Sequence, residues 1–316
     1  MKYFKERKHI GGKKNMGEIT RIENVEIEAA NASMEGTQAG IRSFAELDGT
    51  VTSGILFNKK GNMIVAKNGE IVTITPEGKV HSFVSLKEIA PVKNYYFNSP
   101  LVWDMVMDKS GNIIAAAQDR VIKISEEGSL ETLFEDSYDG FLGCSGIELD
   151  ADENIYYTSG SKIIKAIPGG SQSVWFDGSD YGYNSFFSLK FSPNYEKLYA
   201  TDFYTSSMIT ISNSADDSER KPELIIREPI KNASPYGAPL NMIYDENGFL
   251  YCSIDGMSEI LKVSKEGETK LIAIPGMNGN HYIAFGTGAY GEENVYVTTF
   301  DGKVIYHFPK ALIQNV

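Results

Sequence analysis

Three side chains of this protein are suited to moving a proton: Asp104, His281 and Tyr282. Asp104 follows Trp103 in an apolar stretch, and burial raises a carboxylate toward the pKa of a general acid or base. His281 opens another apolar stretch, and an imidazole exchanges protons near neutral pH. Tyr282 beside it carries a phenol that can donate one. In an extended strand only one of that pair points into a given space. Cys144 and Ser145 invite a nucleophilic Cys–His reading, but no local signature accompanies them. Gly276-Met-Asn-Gly-Asn and Pro168-Gly-Gly have no helix to follow, so they are not phosphate loops.

These residues sit at matching points of a repeat. Six copies of one phrase recur, among them Asn58-Lys-Lys-Gly-Asn-Met-Ile-Val-Ala, Asp108-Lys-Ser-Gly-Asn-Ile-Ile-Ala-Ala and Asp245-Glu-Asn-Gly-Phe-Leu-Tyr-Cys-Ser. The others begin at Asp150, Ser192 and Gly286, and the leading residues are 50, 42, 42, 53 and 41 positions apart. Each copy is a polar turn between short apolar runs. A period of about 40–50 residues built from strands and turns is the mark of a β-propeller. The expected fold is all-β, a six-bladed propeller over 21–316 preceded by a basic mobile arm at 1–20. In blade one the strands are expected near Gly54–Phe57, Met63–Ala66, Glu70–Ile74 and Lys79–Val84. Val25-Glu-Ile-Glu-Ala alternates like a short strand. Blade six lacks a fourth strand after Lys303–Phe308. The alternating segment Ile41-Arg-Ser-Phe-Ala-Glu-Leu is expected to supply it and close the ring, removing two exposed edges.

The innermost strands of a propeller line a central channel, and the loops entering them form one rim. Counting back five positions from each leading residue gives Ser53, Trp103, Ser145, Phe187, Leu240 and His281. Four back gives Gly54, Asp104, Gly146, Ser188, Asn241 and Tyr282. Alternation turns only one of these rows toward the channel, and a slip of one residue exchanges them. The loops before the inner strands are rich in rings: Tyr95, Tyr96, Phe97, Tyr138, Phe141, Tyr181, Tyr183, Phe186 and Tyr236. The pattern predicts an apolar-walled small-molecule pocket. Ser53, Tyr96, Trp103, Ser145, Phe187, Ser188, Tyr236, Leu240 and Asn241 are its expected binding residues. Asp202 and Asp255 end second strands and read as turn residues.

Leu189-Lys-Phe-Ser-Pro-Asn-Tyr-Glu-Lys-Leu-Tyr-Ala-Thr-Asp-Phe resembles the signature of the senescence-marker-protein/gluconolactonase family. So do Pro239-Leu-Asn-Met-Ile-Tyr-Asp-Glu-Asn-Gly-Phe-Leu-Tyr-Cys and Ile283-Ala-Phe-Gly followed by Val295-Tyr-Val-Thr-Thr. The resemblance covers roughly residues 50–308. It implies a six-bladed propeller with a calcium or zinc ion at the channel mouth, held by a Glu, two Asn and an Asp. At the matching positions this chain has Ser53, Trp103, Phe187 and Leu240, of which only serine offers an oxygen, and a weak one. Asp104 and Asn241 are the nearest oxygen donors. No metal or other cofactor is therefore expected; calcium or zinc would return if the register were displaced.

Composition narrows the partners. Net charge is −12, which repels nucleic acid. The two cysteines give no disulfide framework. No apolar run approaches the roughly 18 residues of a membrane span, and the basic N-terminus lacks the apolar stretch of a secretory signal. A cytoplasmic protein with a small-molecule partner is expected. The expected activity is a metal-independent cyclisation, isomerisation or condensation of a hydrophobic or aromatic molecule, which an acidic pocket would also accept as a cationic amine. The strictosidine-synthase-like propellers, similar in fold, condense an amine with an aldehyde around a carboxylate. The alternatives are a metal-dependent lactone or ester hydrolase, and a propeller that binds a ligand or protein without catalysis.

Overall fold

The computed structural model describes residues 27–29, 41–89, 101–136, 143–229, 237–274, 277, 279, 281–299 and 302–314. They form six sheets around one axis, antiparallel but for one short edge strand. Blade one is Leu56–Phe57, Met63–Lys67, Glu70–Ile74 and Val80–Ser85. Blade two is Asp104–Met107, Ile113–Ala116, Arg120–Ile124 and Leu130–Glu135. Blade three is Ile147–Leu149, Ile155–Ser159, Lys162–Ala166 and Gln172–Asp177. Blade four is Phe186–Phe191, Lys197–Asp202, Ser207–Ser212 and Pro222–Arg227. Blade five is Pro239–Tyr244, Leu250–Ile254, Glu259–Val263 and Thr269–Ala273. Blade six takes Tyr282–Phe285, Asn294–Thr298 and Val304–Pro309 from the end of the chain and Arg42–Glu46 from near its beginning.

The closing strand pairs antiparallel with Val304–Pro309, Arg42 opposite His307 and Glu46 opposite Val304. The short strand Ile27–Ala29 joins elsewhere, parallel to the outer strand of blade five. The inner strand of blade one is shorter than its apolar run suggested, since Gly54 and Ile55 lie outside the ladder. The basic arm at 1–20 lies outside the described residues.

The repeated phrase has a local cause. Its leading side chain accepts the backbone N–H that reopens the hairpin: Asn58 from Asn62, Asp108 from Asn112, Asp150 from Asn154 and Asp245 from Phe249, at 2.7–2.9 Å. Ser192 does the same for Lys197 at 3.0 Å. Asn, Asp and Ser carry short acceptors that mimic a backbone turn. Gly61, Gly111 and Gly248 supply the left-handed residue of that turn, with φ between 75° and 93°.

The core is divided. Each buried apolar cluster lies between two neighbouring blades, so every sheet is covered on both faces. Cys144 and Cys252 are buried and unbridged in two of these clusters. One further cluster, Leu101, Trp103, Phe187 and Leu240, brings blades two, four and five together at the channel mouth. Among the described residues no helix is long and apolar enough to cross a membrane.

Candidate functional site

The channel wall is tight one layer below the mouth. A Cβ added to Gly54 would lie 3.3 Å from Asp104 Oδ1, 3.5 Å from Asn241 Nδ2 and 3.9 Å from Tyr282 Cδ1. The row four positions before each turn therefore faces the axis. The other row is not uniformly turned away. The ladders of blades four and five shift register between Phe186 and Ser188 and between Pro239 and Met242. A bulge re-aims side chains that a regular strand would alternate. It lets Phe187 and Leu240 meet Trp103 above the inward row. The expectation that a single row faces the channel fails at these two blades for that reason, while Trp103 joins them from just before the regular inner strand of blade two. Gly146 is fixed by the same bulge, since a Cβ there would lie 2.5 Å from the Phe187 carbonyl oxygen.

Several expected site residues tie blade to blade. Ser145 Oγ donates to the Phe186 carbonyl at 3.1 Å. Tyr282 Oη donates to the Thr52 carbonyl at 2.8 Å, and burial raises its pKa. Asn241 Oδ1 accepts the Ile283 N–H at 3.2 Å. Ser53 Oγ accepts from Ala66 N at 2.8 Å, and Ser188 N donates to Thr201 Oγ1 at 3.1 Å. Thr158, Thr201, Ser253 and Thr298, which end four of the repeated phrases, all accept inner-strand N–H groups. Tyr96 and Tyr236 lie outside the described residues, as do Tyr95, Phe97, Tyr138 and Phe141.

Asp104 is buried. Its carboxylate accepts from Met105 N at 2.9 Å and from Ile147 N at 3.4 Å. Burial pushes its pKa up to about 7, against the pull of those two N–H groups and of Lys190. Lys190 pairs with Glu148 at 2.7 Å deeper in the channel. A folded-state pKa above the unfolded value gives stability that is present at acid pH and lost as pH rises through it. The rise from 3.8 to about 7 amounts to about 4 kcal/mol between pH 4 and pH 8. Replacing Asp104 with Asn is therefore expected to flatten the fall of stability over that range, so that the variant gains on the parent as pH rises. Urea melts at pH 5 and pH 8 check this; an equal parent–variant difference at both would refute it.

His281 lies at the rim, just before the inner strand of blade six. Its N–H donates to Thr298 O at 2.9 Å, and its carbonyl accepts Ser253 Oγ at 2.8 Å. The imidazole packs beside the Tyr282 ring, centroids 4.8 Å apart. Both rings share one space because His281 precedes the regular strand. Its side chain is 20% exposed, and Nε2 stands 4.0 Å from Oδ1 of the buried Asp255. Burial lowers the His281 pKa to about 4, so the ring is neutral at pH 7. Asp255 was legible only as a turn residue. Its backbone is held through paired hydrogen bonds with Gly237 and Ala238, both 2.9 Å, which fixes the carboxylate opposite His281.

The cation implied by the family resemblance does not fit these side chains. Both Asp104 oxygens and the Asn241 oxygen already accept backbone N–H groups, and Trp103, Phe187 and Leu240 pack against one another. Among the described residues no group of three or more His, Cys, Asp or Glu is placed to hold a metal ion. A groove of about 590 Å³ lies on the outer side of blades two and three, lined by Glu135, Asp136, Tyr157 and Lys162 among others. Two pairs of its polar groups are joined, Tyr157 with Gln172 at 2.8 Å and Ser159 with Asp136 at 2.7 Å.

No protein-family model matches the chain, and no curated protein does. Solved structures do. A gluconolactonase from Xanthomonas campestris superposes with a TM-score of 0.66 at 13% identity, over 85% of this chain and 89% of its own. Virginiamycin B lyase from Staphylococcus aureus gives 0.56 at 15% identity, over 85% and 88%. A chain of a nidogen–laminin complex gives 0.59 at 15%, over 79% and 90%. The chain is a six-bladed β-propeller, and lactonases and lyases are among its structural neighbours. At such identities the likeness defines the fold and leaves the chemistry to the residues.

Proposed function

We propose that this propeller is a metal-independent enzyme that transfers a proton on a small hydrophobic molecule at its channel mouth, with His281 as the base. The observation that carries the reading is His281 itself: partly exposed, anchored at both backbone groups, and faced by the buried Asp255. It holds the place in blade six that Trp103, Phe187 and Leu240, the apolar cluster of the mouth, hold in blades two, four and five. One fold neighbour, virginiamycin B lyase, is catalytically inactive as a histidine-to-alanine variant, which supports giving a histidine the central role here.

The imidazole takes a proton from a C–H made acidic by an adjacent carbonyl. The imidazolium so formed is stabilised by the Asp255 carboxylate, whose 4.0 Å separation shortens as charge develops. The electron pair left on carbon forms a double bond. In isomerisation the proton returns to another carbon; in elimination a C–O bond breaks and the leaving oxygen takes the proton. Water is kept from this exchange by the apolar floor. Asp104 and Tyr282 hold the blades in place beneath it.

The test is a turnover screen with a chelator present, using gluconolactone, a streptogramin B antibiotic and aromatic amine–aldehyde pairs. The reading expects turnover that survives chelation. Activity on lactones that vanishes with the chelator and returns with calcium or zinc would replace it with the hydrolase reading. Silence across the panel would favour a propeller that only binds.

A further inference from the structure

The rings at the mouth do not stop at its floor. Trp103 meets Phe187 edge-on at 6.0 Å, Phe187 meets Phe203 at 6.1 Å, and Phe203 meets Tyr204 at 5.9 Å. The series climbs from the channel centre onto the top of blade four. Trp103 and Phe187 are buried, at 8% and 4% exposed, Phe203 is half-buried, and Tyr204 is 49% exposed.

The outer end of this ladder is rigidly built. Phe203 and Tyr204 occupy the turn between the second and third strands of blade four. Asp202, buried at the start of that turn, accepts from Asn184 N at 2.8 Å, Ser185 N at 2.7 Å, Thr205 N at 2.7 Å and Thr205 Oγ1 at 2.8 Å. Phe203 N donates to Ser185 O at 3.0 Å, and Ser206 O accepts Glu228 N at 2.8 Å. Ser206 holds a φ of 49°, a left-handed conformation the turn imposes on a residue that disfavours it. Such a network places two rings at fixed positions, and a half-exposed aromatic on a fixed turn beside a ligand site is how proteins present flat apolar surface at low entropy cost.

We propose that the ladder is a substrate subsite for an extended molecule of two or more aromatic rings that turn relative to one another, as the ladder's own rings do at 69°, 37° and 78°, one part at the Trp103–Phe187 floor and the rest against Phe203 and Tyr204. Asp202 is the positioning residue that aims the outer pair. The proposal rests on the channel mouth being the active site, and it gives the substrate its class: a conjugated or aromatic body longer than one ring, carrying the acidic C–H that His281 reaches.

The chain has two tryptophans, so Trp175→Phe leaves Trp103 as the sole indole. Titration of that protein with the neutral probe N-phenyl-1-naphthylamine, read as quenching of Trp103 emission, measures binding without turnover. Saturable quenching is expected, and Tyr204→Ala and Phe203→Ala should each weaken binding about three- to tenfold. His281→Ala should leave it within about twofold, because the base adds no apolar surface. Tyr204 is half exposed, so its variant decides the matter if Phe203→Ala misfolds. No saturable quenching, or an unchanged Kd for Tyr204→Ala, overturns the subsite. A His281→Ala variant that turns substrate over at the parent rate overturns the catalytic reading instead, and leaves ladder-dependent binding standing.

Discussion

A chain lacking residues 1–47 is expected to lose cooperative folding and to aggregate. The deletion removes the outer strand of blade six, whose ladder with Val304–Pro309 runs from Arg42 to Glu46. Ala45 and Leu47 are buried in the cluster between blades six and one, and Phe44 packs against Tyr296 with ring centroids 4.9 Å apart. Burial of a large apolar side chain contributes about 1.5–3 kcal/mol. Losing Phe44 and Leu47 with the ladder therefore removes several kcal/mol from a total of about 5–15. It also leaves the edge of Val304–Pro309 open to other chains. Blade six would still reach blade one through Tyr290, whose hydroxyl accepts from Met63 N at 2.7 Å and donates to the Ile74 carbonyl. That bridge and the Tyr282–Thr52 bond do not replace a strand. Size-exclusion chromatography and thermal melting test the point; a monomeric truncation with the parent melting temperature would show that the ring closes without this strand.

Replacing His281 with Ala is expected to lower kcat by about 10²- to 10⁴-fold, the usual contribution of a positioned general base. The fold should survive, because the ring is partly exposed and the backbone bonds to Thr298 and Ser253 do not depend on the side chain. In the parent the acid limb of kcat/KM should fall near pH 4, where burial places the imidazole, and not near 6.5. Asp255→Asn is expected to keep substrate binding and lose part of kcat, since it removes the carboxylate that faces the imidazole.

How much of this was legible in the residues follows from what fixes each part. The blades were, because the acceptor at the head of each phrase sets a turn, and strand boundaries follow from the turn. Ile41–Leu47 was legible as the closing strand because it alternates and blade six is one strand short. The mouth was legible by counting back from the turns only where the inner strand is regular. At Phe187 and Leu240 a bulge adds a residue, and no apolar pattern marks it. Asp255 was hidden because a carboxylate after a strand looks like any turn residue; only folding brings blade five's second strand against the start of blade six. The Ser and Thr ties stood in the repeated phrases as Thr158, Thr201, Ser253 and Thr298. Their recurrence was a signal for bonding between the inner and second strands of each blade, extended to the next blade by Thr201 and Ser253, that strand pattern alone does not interpret.

The most direct measurement is the turnover rate of parent and His281→Ala on one active substrate, each with and without exhaustive chelation. The account predicts a parent rate indifferent to the chelator and a variant rate at least about a hundredfold lower in both conditions. A parent rate that collapses on chelation, or a variant that keeps pace with the parent, would contradict it.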